Sequence, residues 1–452
     1  MQFELTKEFV ERLQQLIGKK SEKEIIQIMD DLHAADIAEI MDVLTLEEAK
    51  YLYLQLDGEK ASDVLLEIPE SDRKRFLKAL PPEVIARQFI EFMDSDDAVD
   101  VVQDLDEEIQ QEVLNEIEDV EHAGDIVDLL EYDEESAGGL MAKELVSVNE
   151  NWTVATCLKE ISNQAEEVDE IYYVYVTDDA GILKGILSLK KLILNNTNAK
   201  ISNLYNADIK SVTTETHQEE VANIIDKYDL VALPVVDSIG RLKGRITVDD
   251  VIDIIREEAE KDYQMVSGIT GDVESTDRIW PLTRARIPWL FIGLLGGILG
   301  ANVLELYEGT LSQIPKIAFF IPLIAAMAGN VGVQSSSIVV QTIASGSKDI
   351  QSTSRKLLKE FSVAFITALV FSVLIFIYNY FFSDSLQLTY SVSASLFIVI
   401  IFASLFGTFV PLILNRLKID PALATGPFIT TTNDILGLLI YMLIGSFFFN
   451  LL

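Results

Sequence analysis

One carboxylate of this sequence lies where carboxylates are rare. Asp434 follows the residues Thr-Thr-Thr-Asn inside a long apolar stretch, residues 425–451. A charged side chain near the centre of a bilayer costs on the order of 2.5–3.5 kcal/mol on insertion scales, and intramembrane acids commonly mark ion pathways. No Lys or Arg lies deep in an apolar stretch of the sequence, which argues against a buried ion pair. A protonated Asp434 held by hydrogen bonds is the alternative, and we favour the ion pathway.

Polar residues accompany this acid at helical spacing. The last apolar stretch carries a row at relative positions 0, 4, 8, 11 and 15: Gly426, Thr430, Asp434, Gly437 and Tyr441. An earlier stretch carries a row at positions 0, 4, 7 and 11: Asn330, Gln334, Ser337 and Gln341. Such rows share a helix face and would line a wet path, although polar contacts between membrane helices are the alternative. The predicted pore-lining residues are Asn330, Gln334, Thr430, Thr431 and Asn433.

The chemistry of these side chains is that of a cation site. Mg²⁺ gives up its water reluctantly and is usually held by few carboxylates together with its waters. One Asp surrounded by Thr, Asn and Gln suits such an ion. The same set suits Ca²⁺, Mn²⁺ or a proton-coupled transporter, so the residues alone indicate only a cation.

Five apolar stretches are long enough to cross a membrane, which takes ~20 residues. They are residues 287–306, 316–344, 358–382, 391–414 and 425–451, within a membrane domain at 281–452. The loop charges follow one pattern: Arg284 and Arg286 precede the first stretch, Lys348, Arg355, Lys356 and Lys359 separate the second and third, and Arg416 and Lys418 separate the fourth and fifth. Loops rich in Lys and Arg usually stay on the cytoplasmic side of the membrane. The sequence therefore predicts a multi-pass protein of the cell membrane with a cytoplasmic N-terminus and an extracellular C-terminus.

The acidity of the chain is confined to its first part. The net charge is −37, yet residues 281–452 hold nine basic and seven acidic residues, which leaves 26 basic and 65 acidic residues before them. Such a block excludes nucleic acid as a partner, because phosphate neutralisation needs Lys and Arg. It suits cations, basic partners or simply solubility. A single cysteine, Cys157, and three scattered histidines argue against a disulfide and against a zinc site.

The acidic part divides into two regions. Residues 1–135 show apolar spacing of three and four, with a weak repeat of about 25 residues, which predicts an acidic superhelical α domain. Residues 136–255 contain two similar halves, about 140–200 and 201–255, each with a helix, a β-rich run, a turn and a short strand. An acidic connecting helix, residues 249–280, leads to the membrane domain.

The two halves resemble a tandem CBS pair, a module that often binds adenine nucleotides. Residues 244–250 are similar to the Gly-x-x-Thr-x-x-Asp ribose-contacting motif, with Thr247 and Asp250 at its polar positions. The first half has Ser188 and Lys191 at the matching places. ATP at the pair is therefore one interpretation, and a helix cap formed by Thr247 and Asp250 is the other.

The order of these parts, together with three motifs, resembles the MgtE family of magnesium channels. The motifs are residues 135–141, the run Ala328-Gly329-Asn330-Val331-Gly332 after Pro322, and the set Asp420, Pro421, Gly426, Pro427, Thr430, Thr431 and Asp434. The resemblance covers essentially the whole chain. It implies a mainly α fold, a homodimer with the pore at the subunit interface, Asp434 as the selectivity carboxylate, Asp420 near the cytosolic mouth, and Mg²⁺ held between the cytosolic elements.

The resemblance also implies metal ligands outside the pore. They are Asp96 and Asp100 in the helical domain, and Glu219, Asp229, Asp250, Asp253, Glu258 and Asp262 in the CBS pair and connecting helix. His217 and Lys261 depart from the family pattern, since those segments tend to be acidic in the family. The implied function is Mg²⁺ uptake gated by cytosolic Mg²⁺.

Two other functions stay open at this point. One is a secondary divalent-cation transporter or exporter regulated by adenine nucleotide at the CBS pair, and the other is a membrane-tethered nucleotide sensor. An enzyme is the least supported class, because no Ser/His/Asp set, metal-binding His pair or phosphate loop is apparent in the sequence. The glycines 293, 296, 297 and 300 lie inside an apolar stretch and indicate helix packing.

Overall fold

The structure is a computed structural model of the 452-residue chain. It describes residues 4–165, 168, 170–271, 273, 279–344, 353–383, 385–424 and 426–451. The chain forms two compact units, Met1–Ile255 and Arg256–Leu452. Each unit is described by itself.

The first unit begins with a series of short helices. They are α1 (Lys7–Lys19), α2 (Glu22–Asp30), α3 (Ala34–Asp42), α4 (Leu46–Tyr53), α5 (Gly58–Leu66), α6 (Glu70–Leu77), α7 (Pro82–Gln88), a 3₁₀ turn (Ile90–Phe92), α8 (Ser95–Gln103), α9 (Glu107–Glu116) and α10 (Val120–Leu129). Local signals start several of them. Thr45 and Glu48, for example, form a reciprocal capping box at the start of α4.

These helices bury one apolar face each and pack in pairs, with α1 on α4, α3 on α5, α7 on α9 and α8 on α10. Tyr53 lies in the middle of the resulting core, where Phe76 and Phe89 meet its ring edge-on at 4.8 and 4.9 Å between centroids. Its hydroxyl donates to the Ala61 carbonyl oxygen at 2.6 Å. The predicted helical N-terminal domain is thus confirmed.

The rest of the first unit contains two small sheets built in the same way. The first has β1 (Val146–Asn149), α11 (Val154–Gln164), β2 (Val174–Thr177), β3 (Leu183–Leu187) and α12 (Leu189–Leu194); the second has β4 (Val212–Thr213), α13 (Gln218–Tyr228), β5 (Ala232–Val236) and β6 (Leu242–Thr247). In each sheet the first two strands are parallel and the last two antiparallel. Gly181 and Gly240, at φ +78° and +89°, close the two hairpins in a conformation that favours glycine.

Helix α14 (Val248–Val266) runs from the first unit into the second. It is shorter than the predicted connecting helix 249–280. A turn follows it, in which Gly268 N–H donates to the Met265 carbonyl oxygen and Gly268 has φ +77°. Residues 272 and 274–278 of the predicted helix lie outside the described part of the chain.

The second unit contains the five predicted membrane helices. They are α15 (Ile279–Leu306), α17 (Ile321–Ala344), α18 (Thr353–Phe382), α19 (Leu386–Arg416) and α20 (Gly426–Leu451), with a short α16 (Glu308–Gln313) and 3₁₀ turns at Pro315–Phe320 and Pro421–Ala424. All five are long and apolar enough to cross a membrane. The first, third and fourth begin five to eight residues before the predicted stretches, because their polar ends continue the helix beyond the apolar run.

Helix α19 forms the centre of this unit. Helices α17, α18 and α20 all pack on it, and α15 packs on α20. Val399, Ile400 and Ala403 of α19 are fully buried. The mainly α fold with a CBS pair and five membrane helices is therefore the one expected from the sequence.

Candidate cation sites

Glycines bring α15 and α17 onto the polar segment of α20. A Cβ atom built on Gly329 of α17 would lie 3.2 Å from Asp434 Oδ1 and 3.1 Å from Thr430 Cγ2. On Gly332 it would lie 1.8 Å from Asn433 Nδ2, and on Gly296 of α15 it would lie 1.9 Å from Thr431 Cγ2. Gly329 thus gives room to Thr430 and Asp434, while Gly332 and Gly296 each give room to one polar side chain of α20.

The polar residues of α20 differ in exposure. Asp434 and Thr430 are partly exposed, and the Thr430 hydroxyl donates to the Gly426 carbonyl oxygen at 2.9 Å. Thr431 is partly exposed and packs against Gly296. Asn433 is fully buried, and both atoms of its side-chain amide lack a partner among the described residues. In the single chain Asn433 faces Gly332 in the packed interior, and its place along the pore stays a prediction.

Asn330 and Gln334 lie one helical turn apart on α17, and both side chains are exposed in the single chain. This face is therefore not covered by the other helices of the unit. Asp420 is exposed and lies just before the Pro421–Ala424 turn, where its Oδ1 accepts from the Ala422 N–H at 2.8 Å. It caps the turn that leads into α20.

The first unit holds a cluster of carboxylates that fits a metal ion. Oxygen atoms of Asp94, Asp96 and Glu144 lie within 4.8 Å of one another. Glu144 also accepts from the N–H and the hydroxyl of Ser95, at 3.1 and 2.8 Å. The start of α8 is thereby joined to the segment before β1. Hard oxygen ligands of this kind suit Mg²⁺ or Ca²⁺.

The neighbouring acids repel one another. Burial raises the pKa of Asp97 to about 7, and the charges of Asp250, Asp100 and Asp94 add to the shift. Burial and the nearby charges of Asp97 and Asp250 likewise hold the pKa of Asp96 well above its usual range. Burial also raises the pKa of Asp250. A bound cation would relieve this repulsion.

One basic residue offsets part of the charge. Arg245 of β6 is 5% exposed, and one guanidinium nitrogen lies 3.4 Å from Asp94 Oδ2. Another donates to the Glu170 carbonyl oxygen at 2.9 Å, and the group lies over the Tyr172 ring. The one positive charge of Arg245 therefore offsets only part of the charge of Asp94, Asp96, Asp97 and Glu144.

Thr247 and Asp250 contact each other where α14 begins. Asp250 Oδ2 accepts from the Thr247 N–H at 3.0 Å and from its hydroxyl at 2.7 Å. The first half is capped in the opposite sense, because the Ser188 hydroxyl accepts from the Lys191 N–H at 3.4 Å. Thr247 and Asp250 therefore form the helix cap that was one of their two interpretations from the sequence.

The other predicted ligands are spread over several elements. Glu219 lies in the first turn of α13, Asp229 ends this helix at φ +49°, and Asp253 is exposed on α14. Glu258 and Asp262 belong to the second unit. Lys261 lies 3.3 Å from Glu258 and 3.9 Å from Glu257, so it already offsets acidic charge there.

The sequence reasoning missed Asp94, Asp97, Glu144 and Arg245. Asp94 and Asp97 flank the predicted Asp96 in the run Asp-Ser-Asp-Asp, which was the available signal. Glu144 lies 49 residues from Ser95 in sequence, and Arg245 lies 151 residues from Asp94. Their approach depends on the tertiary fold, and no local pattern marks it.

The fold and these sites define a class: multi-pass membrane proteins with a CBS pair and acidic, cation-suited sites. Family comparisons agree. Residues 321–444 match the family described as a divalent cation transporter, MgtE; residues 32–135 match the MgtE intracellular N domain; and residues 137–195 and 201–257 match the CBS domain.

Characterised relatives cover nearly the whole chain. It is 33% identical to the magnesium transporter MgtE of Thermus thermophilus over 95% of this chain and 96% of the relative, and 32% identical to that of Bacillus subtilis over 94% and 93%. A solved structure of the cytosolic domain of the Mg²⁺ channel MgtE in complex with ATP is 33% identical, with a TM-score of 0.51 over 54% of this chain and 99% of that one. The chain belongs to the MgtE family of magnesium transporters.

Proposed function

We propose that this protein is a Mg²⁺-selective channel for magnesium uptake, closed by cytosolic Mg²⁺. The observation that carries the proposal is the position of Asp434, partly exposed on α20 and next to Gly329 of α17. One carboxylate with neighbouring hydroxyl and amide groups suits an ion that keeps most of its water.

A second copy would complete the pore. Asn330, Gln334 and Asp434 leave polar groups exposed or partly exposed within the apolar helices α17 and α20 of a single chain. A two-fold symmetric dimer joined near this surface would bring two Asp434 carboxylates together. The positive-inside pattern of the loops supports an acidic first unit in the cytosol and the end of α20 outside.

The acidic cluster supplies a sensor for the same ion. Without metal, burial raises the pKa values of Asp96, Asp97 and Asp250, and the charges of neighbouring acids add to each shift. Mg²⁺ bound by Asp94, Asp96 and Glu144 would reduce the repulsion and draw α8 toward the start of α14. Further proposed ligands lie on three helices: Asp100 on α8, Glu219 and Asp229 on α13 and at its end, and Asp253, Glu258 and Asp262 on α14.

Helix α14 offers a route from the sensor to the pore. A Cβ on Gly426 would lie 2.3 Å from the Val266 carbonyl oxygen, and one on Gly268 would lie 2.5 Å from Pro427 Cγ. The end of α14 therefore packs on the start of α20, which carries Asp434. A shift of α14 would move α20 directly.

Uptake by reconstituted protein tests the pore. Vesicles with wild-type protein should take up Mg²⁺, and Asp434→Asn should reduce uptake to that of empty vesicles. Glu305→Gln, at an exposed position near the end of α15, is the matched control. Uptake by Asp434→Asn equal to that of wild type would refute the proposal. A current that follows a pH or Na⁺ gradient would instead favour the coupled transporter.

Inhibition by internal Mg²⁺ tests the sensor. The double variant Asp96→Asn/Asp97→Asn should need more internal Mg²⁺ for closure, while its maximal uptake stays at the wild-type level. Asp226→Asn, an exposed acid on α13, is the control. The same Mg²⁺ dependence in wild type and in the double variant would show that the cluster is not the sensor.

An adenine nucleotide is a second ligand of the proposed function. The related cytosolic domain was solved in complex with ATP, and Thr247 and Asp250 occupy the matching motif. Calorimetric titration of the full-length protein with ATP should give binding that Thr247→Ala weakens. No heat of binding for the wild-type protein would rule this ligand out.

A further inference from the structure

A polar cleft lies in the second unit, and it shares Gln334 with the pore-lining face proposed above. It is bounded by α17 and α18, has α19 as its floor and encloses about 350 Å³. Helix α18 packs on α19 rather than on α17, which leaves the cleft open at the side. Its polar lining includes Gln334, Ser335, Lys359, Glu360, Ser404 and Thr408.

A carboxylate lies inside this cleft without a basic partner in the described part of the chain. Glu360 Oε1 accepts from the Ser335 hydroxyl at 2.7 Å and from the Ser404 hydroxyl. The two hydroxyl oxygens lie 3.0 Å apart. Two hydrogen bonds to one oxygen leave the second oxygen of Glu360 and its negative charge available to a ligand.

The floor of the cleft carries a second polar group that could bind a ligand, the Thr408 hydroxyl. Thr408 is 3% exposed, and its hydroxyl has no hydrogen-bond partner among the residues that the structure describes. A buried hydroxyl without a partner costs free energy and is uncommon in native structures. A ligand with N–H groups would satisfy Thr408 and Glu360 together.

The depth of the cleft follows from the length of α18. This helix has 30 residues, or ~45 Å, whereas the hydrocarbon core of a bilayer is ~30 Å thick. Residues 361–382 contain no charged side chain and alone span ~33 Å at 1.5 Å per residue. Lys356, Lys359 and Glu360 therefore lie in the headgroup layer, where the apolar part begins.

We propose that the cleft binds the headgroup of an aminophospholipid, phosphatidylethanolamine. The ammonium group would donate to Glu360 and Thr408, and the phosphate would face Lys359 at the rim. Lys359 and Glu360 both line the cleft, so a positive and a negative charge are offered to one ligand, as the two ends of ethanolamine phosphate require. Apolar wall residues such as Val331, Ile338 and Val363 would contact the start of the acyl chains.

Charge complementarity favours this occupant over three others. An inorganic cation would satisfy Glu360 but would be repelled by the lysines at the rim. An anionic lipid would satisfy the lysines but place its phosphate near an uncompensated carboxylate. Phosphatidylcholine carries the same two charges, yet its quaternary ammonium has no N–H to donate to Thr408 or Glu360.

Competitive lipid binding to purified full-length protein tests the proposal. The protein is given equal amounts of phosphatidylethanolamine and phosphatidylcholine with the same acyl chains, and bound lipid is counted by native mass spectrometry. Phosphatidylethanolamine should bind at least tenfold more tightly, a difference of about 1.4 kcal/mol. Binding should weaken with each methyl group added to the amine. Glu360→Gln, which keeps the shape and the hydrogen bonds to Ser335 and Ser404, should remove the preference.

Two further variants separate the contributions. Lys359→Gln should weaken both lipids and leave their ratio unchanged, because it removes the phosphate contact. Glu305→Gln should bind like wild type. Equal binding of the two lipids by wild type, an unchanged ratio in Glu360→Gln, or preference for phosphatidylglycerol would overturn the proposal. The proposal would also be overturned if Na⁺ or Mg²⁺ alone, or a second copy of the chain, blocked lipid binding in the cleft. Transport is not part of this measurement, so its outcome is independent of the channel proposal.

Discussion

Gly407 of α19 lies against the backbone of Gly332 of α17, and Gly407→Ala tests this contact. A Cβ at this position would lie 2.4 Å from the Gly332 carbonyl oxygen and 3.1 Å from Gly332 Cα. Both atoms belong to backbone, so no side chain can rotate away and the helices must separate. Overpacking of this kind costs about 1–3 kcal/mol, against a gain of up to about 1 kcal/mol from the better helix propensity of Ala.

The separation would also disturb the pore. Gly332 contacts Asn433, and Gly329 one turn earlier contacts Asp434, so α17 cannot move without changing the surroundings of the acid. We expect Gly407→Ala to aggregate at a lower temperature than wild type in detergent and to take up less Mg²⁺ per folded molecule. The assays are size-exclusion chromatography after heating and uptake by reconstituted vesicles.

Gly297→Ala is the matched control. A Cβ there meets nothing within 4 Å, and the residue is exposed on α15. This variant should be at least as stable as wild type, because only the propensity gain remains. Equal stability and uptake for Gly407→Ala and Gly297→Ala would refute the packing argument.

Three further results are expected. Without divalent ions, the first unit should lose stability as pH rises from about 4 to 7, because the pKa of folded Asp97 is raised to about 7 from an unfolded value of ~3.9; added Mg²⁺ should remove this loss in protease-resistance assays. Tyr441→Phe, which deletes the 2.9 Å hydrogen bond to the Ile317 carbonyl oxygen, should cost about 0.5–1.5 kcal/mol in thermal stability. Gly426→Ala, at φ +53° and against Val266, should weaken inhibition by internal Mg²⁺ in the uptake assay.

The sequence could predict the elements that follow from local pattern. Apolar runs located the five membrane helices, and the repeated Asp/Gly turns located the two sheets, because hairpins need residues such as Gly181 and Gly240 at positive φ. The ends of the helices were less predictable. Helix α18 begins at Thr353 rather than at residue 358 because helical hydrogen bonding continues through its polar first turns, where hydropathy gives no signal.

The candidate sites were predictable only in part. Asp434 stands out because an acid in an apolar run is costly wherever the fold places it. Asn433 has the same neighbours in sequence, yet it is buried against Gly332, since a one-residue step rotates a helix position by about 100°. Glu144 and Arg245 reach the acidic cluster through contacts distant in sequence, which periodicity and composition do not encode.

Asp250 of the acidic cluster lies on α14, and Asp434 lies on α20. Asp250 caps the first turn of α14 through Thr247, and the last turn of the same helix contacts Gly426, where α20 begins. Asp434 lies two turns further along α20. In the proposed channel, an ion bound beside Asp250 would change the charge at the start of α14. The contact between the last turn of α14 and Gly426 would pass a shift of that helix on to α20.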